Sequence, residues 1–314
     1  MGSRHASRTV AGMRIATHDG SFHADECCAV AVLQLAEGDR ALEVVRTRDP
    51  EVLAACDLRV DVGFRHDPAT GDFDHHQAGG AGRRPDGVPY ASFGLAWAHA
   101  GSAVCERLGG GADAVALHAR VDHALVAGID ANDVGTQVAA PAFEGAPPTY
   151  GLAAIVGALN PAWDEPGDAT SRQRAFDRAV DLARAVIERE VAGQAADLRA
   201  EAGVMDAIAA ADDPRLVVLD SDLPWLRPVA EHAPEALYVV GPKSRGWGVQ
   251  GVRKDPAAFP TRKPLPEAWA GRQGSDLAAV TGVADATFCH AARFLAVAAS
   301  REGAHALAAA ALVA

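Results

Sequence analysis

The sequence lacks any run of about 18 apolar residues free of charge, the length that a membrane-spanning helix requires, so a helical membrane protein is not expected. It also lacks a CxxC pair. Its five cysteines, Cys27, Cys28, Cys56, Cys105 and Cys289, are odd in number and carry no zinc-ligand spacing. That pattern argues against a disulfide framework and a cysteine zinc site, and suits buried thiols in a reducing, cytoplasmic compartment. Positive charge is short too: 29 Lys and Arg stand against 41 Asp and Glu, a formal net charge of −12 at pH 7. A protein that coats nucleic acid in bulk needs the opposite sign. Two divalent ions would offset about four negative charges at one site, so an acidic chain can still act on a phosphate ester through a local basic groove. The first 12 residues hold basic groups with no apolar segment behind them, and read as a disordered leader rather than a signal peptide.

What is present is an alanine-rich apolar complement. Apolar residues make up 49% of 314 and charged residues 22%, a globular balance in a chain long enough for two domains. Apolar patterning predicts strands over 13–17, 42–48 and 58–63, helices over 24–38 and 50–56, and a Gly-Asp turn with a short strand over 66–77. The Gly, Pro and Arg content of 78–89 predicts a surface loop, as does the composition of 139–149. Helices are expected over 92–108 and 112–127, then one long helical segment over 169–211. New strands follow over 215–220, 236–242 and 247–253. The expected fold class is α/β. An N-terminal domain over 13–211, including the long connecting helix, has a mainly parallel sheet flanked by helices. A smaller α/β C-terminal domain covers 212–314, with the junction near 205–214.

Ligands in open α/β sheets bind beyond the carboxyl ends of the strands, and ligand-type side chains collect there in this sequence. "HDGSFHADE" after the first strand supplies His18, His23 and Asp25. "LRVDVG" supplies Asp61, and "FDHHQ" supplies Asp74, His75 and His76. "AGIDANDVG" adds Asp130 and Asp133 as a fourth cluster at a strand terminus. Each has a bland explanation on its own: a core histidine at His18, a turn at Asp61 or at Asp133 before Gly135, a local cap at Asp74. Four clusters at successive termini favour a metal site. Imidazoles with carboxylates and no thiolates suit manganese, iron or zinc in a catalytic setting. Several shared carboxylates suggest two ions about 3.5–4 Å apart, an arrangement that activates water for in-line attack on phosphate.

The segments "THDGSFHADE", "VDVG", "FDHHQ", "RKPLPEAWAG" and "FCHAARF", in this order from about Met13 to past Phe294, resemble the Myg (melanocyte proliferating gene) family of the DHH phosphoesterase superfamily. The resemblance implies a DHH-type N-terminal domain and a C-terminal substrate-binding domain, with substrate in a cleft between them. It also implies a manganese-dependent exonuclease acting on RNA or short single-stranded oligonucleotides from the 3′ end. The metal would be two ions, Mn2+ ahead of Mg2+, Fe2+ or Zn2+. By the same resemblance, His18, His23, Asp25, Asp61, His75 and Asp133 would be metal ligands, with Asp61 bridging and Asp130 the alternative to Asp133. His76 would lie near the substrate phosphate and Asp74 would orient its neighbour. Substrate contacts are expected from Lys243, Arg253, Arg262, Lys263, His290 and Arg293, since guanidinium groups bind phosphate in bidentate fashion. Arg245 and Lys254 are further candidates, and Trp247 or Trp269 could stack on a base. Two other functions compete: a small-molecule phosphatase or pyrophosphatase using the same site, and a metal-binding regulatory or scaffold protein with little turnover. The sequence leaves the oligomeric state open, a homodimer included.

Overall fold

The computed structural model describes residues 12–38, 40, 42–136, 149–165 and 167–314. It is a mixed α/β protein of two compact units, divided between Ala196 and Asp197. The first unit opens with β1 (Met13–Thr17), α1 (Ala24–Glu37), β2 (Leu42–Arg46), α2 (Pro50–Ala54), β3 (Leu58–Val60), β4 (His66–Asp67) and β5 (Asp72–Phe73). Their sheet has the order β2-β1-β3-β5-β4. β1 pairs in parallel with β2 on one side and β3 on the other, and β3 pairs in parallel with β5. Only β4 runs antiparallel, closing the edge. The chain thus leaves β1 first to one side and then to the other, which makes the carboxyl ends of β1 and β3 a topological switch point. His18 directly follows β1, Asp61 directly follows β3 and Asp74 directly follows β5.

Helices continue the unit: α3 (Ser92–Leu108), α4 (Ala114–Val121), a π-helical turn over Asp122–Val126, α5 (Ala127–Asp133), α6 (Leu152–Gly157) and α7 (Ala169–Ala209). α1 is buried on nearly every side, with Cys27 to Val32 fully enclosed and α3 packed along it. That burial explains its almost uninterrupted apolar run. The helix expected over 112–127 extends to Asp133 through the π-turn, so Asp130 and Asp133 lie on a helix and not at a strand terminus. A π-turn shifts the phase of the residues after it, and it precedes this acidic pair. The loop expected over 139–149 falls almost wholly outside the described residues, as do residues 1–11 of the expected leader.

The second unit takes in the last turns of α7. It adds β6 (Leu216–Val218), α8 (Leu226–His232), β7 (Tyr238–Lys243), β8 (Gly246–Gly251), α9 (Gly274–Thr281), β9 (Ala286–Cys289), β10 (Leu295–Ala298) and α10 (Arg301–Val313). The sheet order is β6-β7-β8-β10-β9, antiparallel except for β6 with β7. Side chains of β7 alternate between two cores, as the twofold period of a strand demands. Tyr238 and Val240 join Leu265, Trp269 and Leu307 on one face. Val239 joins Val204 of α7, Trp225 and Val229 on the other. Among the described residues, no helix is long and apolar enough to cross a membrane.

Candidate metal centre

The strand ends and helix starts of the first unit converge on one group of imidazoles and carboxylates. Asp61 lies at its middle. Its backbone adopts a left-handed φ of 55°, a conformation Asp tolerates better than most residues. Its Oδ2 stands 3.4 Å from His18 Nε2, and its Oδ1 stands 3.3 Å from both His75 Nε2 and His76 Nδ1. On one side of Asp61, His18 Nε2 also lies 2.9 Å from Glu26 Oε1, and His23 offers a ligand atom to the same group. On the other, His75 Nε2 lies 3.2 Å from Asp133 Oδ2 and 3.9 Å from Asp25 Oδ2. Although three carboxylate oxygens surround it, the buried Nε2 of His75 has no partner in hydrogen-bonding geometry. Donor atoms that crowd together without bonding to one another are what a shared cation leaves. Ligands held about 2.0–2.2 Å from one ion stand about 3 Å apart at right angles. The donor set fits divalent metal.

The structure therefore gathers the predicted ligands into three adjoining groups, His18 with His23 and Glu26, Asp61 with His75 and His76, and Asp25 with His75 and Asp133, and sets Asp130 apart. Asp130 is fully buried 2.8 Å from Arg84 Nη1 and accepts from the Gly94 amide at 2.9 Å. Arg84 also forks onto both oxygens of Asp122 at 2.8 Å. The buried Arg84 corrects the reading of 78–89 as surface throughout. It ties the loop, the start of α3 and the helical run bearing Asp133 together. Asp25 is fixed in a similar way: its carboxylate accepts from the amides of Ser92 at 3.0 Å and Phe93 at 2.7 Å, capping α3. The Ser92 hydroxyl donates to Asp61 Oδ1 at 3.2 Å. Asn160 clamps the segment between His18 and His23, accepting from Phe22 N at 2.9 Å and donating to Phe22 O at 2.8 Å. Asp74 accepts from His76 Nδ1 at 2.8 Å, from the His76 amide at 3.0 Å and from the Phe64 amide at 2.6 Å. Sequence reasoning missed Glu26, Ser92 and Arg84. Glu26 alone left a signal, as a second acid beside Asp25; it caps His23, accepting from its amide at 2.9 Å.

Electrostatics reflect the crowding. Burial pushes the Asp25 carboxyl up, and repulsion from Asp61, Asp133 and Asp130 pushes it further, well above the usual carboxylate range. Burial acts in the same sense on Asp61, but the neighbouring His18, His75 and His76 rings outweigh it and hold its carboxyl well below that range. Burial opposes charge on His18 and His75. The carboxylates of Asp61 and Glu26 nevertheless raise His18 to about 9, and those of Asp133 and Asp61 raise His75 to about 10. His76 reaches about 9 through Asp61, against a smaller burial effect and with help from Asp74. Without metal, the folded protein thus binds protons on these rings more tightly than the unfolded chain, whose histidines titrate near about 6.5. Their stabilisation is complete below that value and is lost as pH rises through 9 to 10. Thermal unfolding of protein stripped of divalent ions should therefore show a midpoint that falls from pH 7 to pH 10. A flat profile over that range would contradict the arrangement.

These residues line a cleft of about 1550 Å³. His18, His23, Asp25, Asp61, Asp74, His76 and Asp133 face it, with Arg48, Arg59 and Arg65 along its walls.

The candidate substrate residues of the second unit are less free. Arg262 donates to the carbonyls of Ala233, Pro234 and Ala236 through Nη1 and of Ala230 through Nη2. Its guanidinium closes the end of α8, as cations at helix C-termini do. Lys263 Nζ donates to Leu312 O at 3.1 Å near the end of α10. These backbone bonds give both residues a structural job that the sequence reading did not assign. Lys243 pairs with Asp222 at 2.7 Å, and Arg253 donates to Pro256 O. His290 and Arg293 occupy the turn between β9 and β10, where Arg293 has a left-handed φ of 58° and His290 packs on Phe294 with ring centroids 4.4 Å apart. Trp269 is buried in the core, and Trp247 lies under Arg301.

Residues 14–312 match the family model MYG1_exonuc, described as "Uncharacterised protein family (UPF0160)". The chain belongs to this family. It is 34% identical over 340 residues to the human protein named "MYG1 exonuclease", covering 98% of this chain and 88% of that one. It is 34% identical over 302 residues to "MYG1 protein C694.04c" of Schizosaccharomyces pombe, covering 90% and 92%. With the mouse "MYG1 exonuclease" the identity is 34% over 328 residues, 96% of this chain and 85% of that one. No solved structure matches.

Proposed function

We propose that this chain is a metal-dependent phosphodiesterase of the DHH type, a manganese-dependent exonuclease that works from the 3′ end of RNA or short single-stranded oligonucleotides. One observation carries the reading: Asp61 stands between two groups of convergent imidazole and carboxylate donors at the switch point of a parallel sheet, inside a cleft. The exonuclease names of its relatives support the substrate class. His18 and His23, with Glu26 beside them, would hold one ion. Asp25, His75 and Asp133 would hold the other, with Asp61 shared. Two divalent ions, when bound, supply an activated water and neutralise charge that develops on the phosphate.

The remaining chemistry belongs to the chain. Asp74 fixes the His76 ring through Nδ1, which leaves Nε2 to meet a phosphate oxygen or to give a proton to the departing oxygen. His76 is 52% exposed at its side chain, unlike the enclosed His18 and His75, as a group that meets substrate requires. Arg48 and Arg65 also line the cleft, where each holds an acid, Asp19 and Asp67 at 2.5 Å, that an incoming phosphate would replace. Within the second unit, His290 and Arg293 are kept as candidates for substrate contact, with Arg293 Nη1 also donating to Leu265 O at 3.4 Å. Five buried free thiols support a reducing, cytoplasmic location.

A pyrophosphatase would use the same donors, but the exonuclease names of the relatives favour an oligonucleotide. A scaffold protein has no need of the convergent donors. End-labelled RNA, single-stranded DNA and pyrophosphate, each incubated with manganese, separate the readings. Stepwise shortening of RNA from its 3′ end is expected. Hydrolysis of pyrophosphate with intact oligonucleotides would overturn the proposal.

A further inference from the structure

Phe64 combines two features that a folded chain avoids. Its side chain is 74% exposed, and its backbone holds a φ of 56°, where a bulky L-residue is a genuine outlier. A glycine would adopt that conformation without steric cost. The conformation is held by the Asp74 carboxylate, which accepts from the Phe64 amide at 2.6 Å while also gripping His76. The ring is thereby presented edge-to-face beside the His76 ring, with centroids 6.3 Å apart and planes at 73°. Among the described residues, Phe64 is the one strongly exposed large apolar side chain that lines the cleft. Tyr150, between the cleft-lining Thr149 and Gly151, is 70% exposed but does not itself line the cleft, and Trp163 and Phe259 lie outside it.

We infer that Phe64 is the stacking platform for the nucleobase at the end of the substrate strand, and so sets the preference of the site for nucleotides over plain phosphate esters. The inference rests on the nuclease reading above. Every base offers a π-face, so an aromatic ring gives affinity without selecting sequence, which suits an enzyme that removes successive nucleotides. The ring lies one side chain away from His76, the residue placed at the phosphate, and the sugar of a single nucleotide bridges such a gap.

The test uses the full chain with manganese and a short labelled RNA whose 3′ residue is either adenosine or an abasic ribose. The wild-type protein should prefer the base-bearing end by about tenfold or more in kcat/KM, the effect of one base stacked on an aromatic ring. In Phe64→Gly that ratio should fall to about one, with no lower thermal midpoint, because glycine relieves the left-handed backbone. Phe64→Trp should keep the preference. An unchanged ratio in Phe64→Gly overturns the inference and leaves the nuclease reading intact. An equal loss on both substrates also overturns it, by showing that Phe64 acts through His76 and not on the base. Wild-type protein that hydrolyses pyrophosphate but no RNA overturns the nuclease reading itself, and this inference with it.

Discussion

Asp61→Asn is expected to lower kcat by more than about a hundredfold under saturating manganese, since even partners that only orient metal ligands cost about 10–100-fold when removed. Among the described residues, Asp61 is the single carboxylate within 3.4 Å of His18 on one side and of His75 and His76 on the other. Asparagine has the same shape and also tolerates a left-handed φ, so the backbone at 55° is kept. What changes is charge: one neutral amide replaces the anion that two cations would share. His75→Ala removes the buried Nε2 that faces Asp133 and Asp25, and should be similarly inactive. Either variant retaining a tenth of the wild-type rate, with a cooperative unfolding transition, would show that these side chains do not hold the catalytic metal.

His76→Ala should give a different phenotype. Metal should remain bound at wild-type stoichiometry, while kcat falls by about 10²–10⁴, the range for a lost general acid or base. The ring faces the cleft and is fixed by Asp74 at 2.8 Å. Asp74→Asn should fall between wild type and His76→Ala, because it weakens the orientation of the ring without removing it. Titrating metal into each variant and measuring single-turnover rates on the same RNA separates the two effects. Loss of metal from His76→Ala, or a normal rate in it, would contradict its assignment.

The α/β class and the strand-end positions of His18, Asp61 and Asp74 could be read from sequence because they need only local information. An apolar strand followed by a ligand-type residue places that residue on the carboxyl edge of the sheet, and the strand order β2-β1-β3-β5 then brings these residues together. Asp133 required more. Its helix passes through a π-turn, and periodicity in 112–127 gives no sign that the helix would continue to it. Asp130 and Asp133 are three residues apart and chemically identical; the buried Arg84, 46 positions upstream of Asp130, pairs with one, while the other faces His75. Arg84 sits in a stretch whose Gly and Pro content reads as surface. The backbone role of Arg262 was out of reach for a related reason. Its partners are carbonyls at the end of α8, 26 to 32 residues away, and no side-chain pattern announces a cation that caps a distant helix. Glu26 was hidden by its own helix, since an acid in a first turn is ordinary.

If Asp61 joins two cation sites, the number of ions bound per chain reveals it. Protein stripped with chelator, reconstituted with manganese and freed of excess should carry two ions per chain by elemental analysis, and Asp61→Asn prepared in parallel should carry fewer. A wild-type value well below one, with His18, His75 and Asp61 intact, would contradict the account.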